Sequence, residues 1–193
     1  MKTLLRKIVL LDRKRIGYVA LIGFTVVFAV GFVLGMVTAL SSTHLVKHFR
    51  DIPNFASPLS ALSIITKNNV LLACSLFFLG FVTLGLYNIF AIAYNGIIMG
   101  TAIGSFVAKG QTTEILTLLL PHGIPEIGWM LGISVFATQL GVSFYRFLDS
   151  GLENKDFLVL LLSKTTLLLL SWVIVAALIE VFVTPYIYQY AIH

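Results

Sequence analysis

Between Lys67 and Lys109 the chain runs for 41 residues, Asn68 to Ala108, without a charged side chain. As one helix at 1.5 Å per residue it would be about 60 Å long, twice the ~30 Å hydrocarbon core of a bilayer. The stretch must therefore fold back on itself. Its least apolar point near the middle is Gly85-Leu86-Tyr87-Asn88, which predicts spans over 69–86 and 88–108. A break at Asn95-Gly96 would leave the later span too short to cross.

The remaining spans follow from the same reasoning. Ile16 to Leu40 is apolar between Arg13-Lys14-Arg15 and Ser41-Ser42-Thr43, and it predicts a first span over 16–40. The 24-residue run from Gly17 to Leu40 exceeds the roughly 7–15 residues of a signal-peptide core and reads as a retained anchor. Residues 41–67 carry His44, Lys47, His48, Arg50, Asp51, Lys67 and two prolines, a composition expected of an extramembrane loop with an interfacial helix. Glu114 to Leu120 supplies a half-helix before Pro121-His122-Gly123-Ile124-Pro125. Two prolines four residues apart remove two backbone donors, so a break is expected there and a fourth span over 125–147. A fifth span over 157–184 is expected to end before Pro185, with Lys164 snorkelling to the interface.

These spans predict an all-α integral membrane protein: a polytopic helical bundle of about five spans plus a half-helix before Pro121, in one membrane domain over 1–193. Only 11% of residues are charged, against roughly 25% in soluble domains, and the mean hydropathy is +1.00. A water-soluble globule is excluded. The net charge of +5 sits at the ends of apolar segments, where topology and anionic lipid account for it without nucleic acid. Eight Lys and Arg on the N-terminal side against four on the other predict a cytoplasmic N-terminus and an external C-terminus. Cys74 is the sole cysteine, leaving no intramolecular disulfide or cysteine-based zinc site, and is expected to fill the core.

Of eight acidic residues, only Glu126 and Glu180 fall inside apolar segments. A carboxylate near hydrocarbon costs several kcal/mol unless paired, protonated or wetted by a cavity. Glu126 starts the fourth span and Glu180 stands five residues before Pro185, so both belong to the same side of the membrane. His122, four residues before Glu126, could join them. One reading is a divalent metal site, such as zinc, with His122, Glu126 and Glu180 as ligands and the two glutamates as catalytic groups. A second is a proton-sharing carboxylate pair. The structural reading has Glu126 accepting from free N–H groups of a first helical turn and His122 satisfying carbonyls orphaned by the prolines. No HExxH pattern, phosphate-binding loop or Gly-x-Ser-x-Gly elbow is present. Gly96, Gly100 and Gly104, with Gly31/Gly35 and Gly128/Gly132, form small-residue faces that predict close helix packing. Asn95 is expected to hydrogen-bond across helices, and Asn68-Asn69 to cap the second span.

Several of these residues together resemble the stage II sporulation protein M family. They are Asn68-Asn69 opening a span, Gly80 and Gly85, Asn95-Gly96 with Gly100, Pro121-His122-Gly123-Ile124-Pro125-Glu126, and Ala176 to Pro185 with Ile179-Glu180-Val181-Phe182-Val183-Thr184. The resemblance covers about residues 15–187. It implies a membrane scaffold, since the name-giving members hold peptidoglycan-degrading partners at the engulfing septum of sporulating cells. Other members accompany circular bacteriocin clusters, with proposed roles in maturation, export or immunity. Archaeal relatives neither sporulate nor share that wall. His122, Glu126 and Glu180 match motif positions, but the resemblance brings no reaction with them.

The expected function is accordingly a membrane scaffold or accessory subunit, homo-oligomeric, in contact with lipid and with other membrane or envelope proteins. The alternatives are an intramembrane metal-dependent hydrolase or peptidase using the His/Glu/Glu cluster, and a transport, immunity or bacteriocin-maturation factor.

Overall fold

A computed structural model describes residues 12–41, 57–150 and 164–192. Most of the expected loop (42–56) and the start of the expected fifth span (157–163) lie outside the described residues. The elements run α1 (Arg13–Ser41), α2 (Pro58–Val82), α3 (Leu86–Ala108), α4 (Thr112–Ser150), α5 (Lys164–Leu178), a π-helical turn (Ile179–Val183) and α6 (Thr184–Ile192). Among the described residues five helical stretches are long and apolar enough to cross a membrane, and the fold is an all-α bundle.

α2 starts earlier than the sequence reading placed it. Ser57 accepts from the Ser60 amide at 3.2 Å while the Ser57 amide donates to Ser60 Oγ at 3.0 Å, and Pro58 occupies the first turn. This reciprocal cap starts the helix at the expected loop's far end, so Lys67, Asn68 and Asn69 lie within α2. The asparagines therefore cap nothing. Ser57→Ala is expected to cost about 1 kcal/mol, lowering the melting temperature in detergent by roughly 2–4 °C. Differential scanning fluorimetry measures this.

The turn between α2 and α3 falls where the charge-free stretch required it. Leu84 (φ 55°) and Gly85 (φ 90°) are both left-handed, the Gly85 amide donates to Gly80 O at 2.7 Å, and the Tyr87 amide donates to Thr83 Oγ1 at 3.0 Å. Two left-handed residues in succession reverse the chain within three residues.

α1 and α3 then pack backbone to backbone. A Cβ at Gly31 would stand 2.5 Å from Ala93 O, one at Gly96 2.5 Å from Phe28 O, and one at Gly104 2.8 Å from Met36 O. Those at Gly35 and Gly100 would fall on Ile97 O and Phe32 O. Glycines on both helices thus admit the other's carbonyls, and Thr101 Oγ1, which donates to Ile97 O at 2.8 Å, also reaches Gly35 O at 3.4 Å. Gly128 does not share this role: it is exposed with nothing within 4 Å of a built Cβ, whereas Gly132 faces Leu169 Cδ2 at 2.8 Å.

α4 is the centre of the bundle. Its most apolar window is 61% buried, against 17–28% for the other four candidate spans, and it touches every other helix. Trp129, Met130 and Ile133 on α4 form the core with Ala73 and Leu76 of α2 and Val173 and Ala176 of α5. Cys74 is exposed instead of buried and lines an apolar groove of about 280 Å³ with Phe77, Phe78 and Phe136.

Two expected helix breaks are absent. α4 passes through Pro121 and Pro125, so the segment before Pro121 is its first part and not a separate half-helix. A proline inside a helix costs about 3 kcal/mol in water. In hydrocarbon, an unwound stretch would expose further unpaired backbone groups, and continuing the helix leaves fewer of them. The last span likewise continues past Pro185. The Thr184 amide donates to Ile179 O, five residues back, and this wider turn relieves the clash between a proline ring and the preceding turn.

Candidate functional site

The polar groups that seemed most costly to bury lie on α4 and on the π-helical turn. His122 and Glu126 stand one turn apart on α4, both half-buried, and Glu180 is half-buried in the π-helical turn. α4 and the last span meet here: His122 Nδ1 lies 3.3 Å from Thr184 Oγ1. Thr184 is 4% exposed, and its hydroxyl donates to Ile179 O at 3.2 Å. The wide turn thus supplies the carbonyl, the carbonyl fixes the threonine, and the threonine receives the ring. Glu126 and Glu180 are close enough for one carboxylate to act electrostatically on the other.

Beside this contact lies a cleft of about 180 Å³, with Asn95, His122 and Glu126 as its polar lining among apolar residues including Phe28, Ile98 and Met130. It lies between the α1–α3 pair and α4 and reaches the surface at Ile98, which is 41% exposed. The groove beside Cys74 is larger but, among the described residues, offers no polar side chain to orient a ligand.

Two expectations change. Asn95 does not bridge helices: its Nδ2 donates to Ala91 O of its own helix at 2.8 Å. Gly96 brings α1 so near on the adjoining face that Asn95 is left beside the seam, lining the cleft. The expected ligand set of His122, Glu126 and Glu180 does not form either. Among the described residues no three His, Cys, Asp or Glu side chains are grouped to hold a metal ion. His122 Nδ1 is engaged by Thr184, and Glu180 is absent from the lining of the cleft that His122 and Glu126 share.

Sequence reasoning quoted Thr184 within the late family stretch before Pro185 but gave it no role. It also missed a second polar cluster. Asn88, wholly buried, donates from Nδ2 to Ser134 O at 3.3 Å, and the same carbonyl accepts from Thr138 Oγ1 at 2.8 Å. Gly80 makes room for that amide, since a Cβ there would overlap it.

The comparisons with known proteins cover most of the chain. An uncharacterised protein of Methanocaldococcus jannaschii is 30% identical over 173 residues, spanning 84% of this chain and 92% of the relative. No solved structure matches the chain significantly. The family model described as stage II sporulation protein M matches residues 24–185, from α1 through α4 and the π-helical turn to Pro185. This membrane-embedded bundle belongs to the stage II sporulation protein M family.

Proposed function

We propose that the chain is a membrane-embedded docking subunit, a scaffold that receives part of another membrane protein at the cleft beside α4. The observation that carries this reading is the cleft itself: Asn95, His122 and Glu126 line a recess that reaches the surface at Ile98. Its volume of about 180 Å³ falls below the roughly 300–1,000 Å³ of small-molecule sites. A recess of that size favours one side chain of a neighbouring helix over a metabolite. Polar groups at membrane depth also gain from a partner that satisfies them. In the same reading the N-terminus is cytoplasmic and the C-terminus external, supported by the eight-to-four distribution of Lys and Arg.

The test is a photocrosslinking amino acid placed at Ile98 in cells that express the chain natively, with Val33 on the exposed face of α1 as control. Ile98 is expected to give one discrete adduct with a second membrane protein, and Val33 only lipid adducts. Lipid adducts alone at both positions would sink the docking reading.

A further inference from the structure

The polar lining of the cleft holds one carboxyl group, that of Glu126, and among the described residues no Lys or Arg to pair with it. With the Thr184 hydroxyl proton on Ile179 O at 3.2 Å, the His122 tautomer protonated at Nδ1 donates to Thr184 Oγ1 across 3.3 Å. In a neutral imidazole this leaves Nε2 as the ring's acceptor. Asn95 spends one of its two amide hydrogens on Ala91 O and keeps Oδ1 and the second hydrogen for an occupant. Glu126 accepts only when it is ionised, the form that a cation beside it favours. The three polar side chains of the cleft thus come from two helices and offer acceptors that include Asn95 Oδ1 and the Glu126 carboxylate.

We propose that the occupant of this cleft is a lysine or arginine side chain carried on a transmembrane helix of the partner protein. This rests on the docking reading above and names its chemistry. A basic side chain supplies several donors and one positive charge to a site that offers acceptors and one negative charge. Its aliphatic stem matches the rest of the wall, Phe28, Ile98 and Met130, and a cleft of about 180 Å³ has room for a long side chain but not for a helix. Inside a bilayer neither charge is well placed alone, so each stabilises the other's helix when they meet.

The probe is a synthetic polyleucine transmembrane helix with one central lysine, compared with the same helix carrying leucine there. Each is labelled and reconstituted with the labelled full-length chain in phosphatidylcholine vesicles, and association is read by energy transfer. The lysine helix is expected to associate at least about tenfold more tightly, a factor worth roughly 1.4 kcal/mol. That advantage should vanish in Glu126→Gln and persist in Glu126→Asp, while circular dichroism of both variants matches the parent. Equal association of the two helices overturns the inference. So does a lysine preference unchanged in Glu126→Gln, because the cation then binds elsewhere. Neither result touches the Ile98 crosslink to a native membrane protein, so failure of this inference is distinguishable from failure of the docking reading. An Ile98 adduct formed only within the chain itself would overturn both.

Discussion

Gly100→Leu is expected to lower the melting temperature in detergent by about 6–12 °C, from the upper end of the 1–3 kcal/mol range for overpacking at roughly 2–4 °C per kcal/mol. The reason is local. A Cβ at Gly100 would fall on Phe32 O and stand 3.0 Å from the Met36 amide nitrogen, so the obstacle is backbone and cannot swing aside. α1 would have to leave α3, and with it the hydrogen bond from Thr101 to Gly35 would go. The matched control is Gly128→Leu, where nothing lies within 4 Å of the built Cβ and the melting temperature should hold or rise slightly. Equal losses at both positions would mean that the seam is not what holds α1 to α3.

Gly85→Val is expected to destabilise by about 2–5 kcal/mol, combining the strain of a left-handed backbone with overpacking. Gly85 has φ 90°, follows a non-glycine residue that is already left-handed, and would place a Cβ against Thr138 Oγ1 and 3.3 Å from Phe24 Cζ. The turn cannot relax by changing φ without losing the bond from the Gly85 amide to Gly80 O. A graded series sharpens the test: Asn, which tolerates this region, should lose least, then Ala, then Val. A series ranked by side-chain volume alone, with Asn worse than Ala, would refute the backbone account. Urea unfolding in mild detergent gives the ranking.

What the sequence disclosed, and what it hid, has a common cause. The α2–α3 reversal and the glycine faces of α1 and α3 were legible, though not that they pair with each other, because one follows from a length that no bilayer accommodates and the other from glycine spacing along single helices. Both are local properties. The start of α2 was legible too, in Ser57-Pro58 and Ser60, but the charged residues around it drew the reading towards a loop. The prolines misled for a physical reason: rules for helix breaking come from water, which repairs an orphaned carbonyl, whereas hydrocarbon does not. Thr184 was hidden because its partner His122 is 62 residues away and nothing in either neighbourhood announces the other. Asn95 read as a bridge because polar residues in spans often are, but its amide found a carbonyl one turn back.

The α1–α3 seam also sets an order of events during synthesis. Ser41 ends α1, and its packing partner does not begin until Leu86, after the whole of α2 has been made. Gly31 and Gly35 therefore emerge from the translocon with acyl chains as neighbours, and the carbonyls that will later nest against them arrive two helices afterwards. A nascent chain halted after α2 would carry this face uncovered.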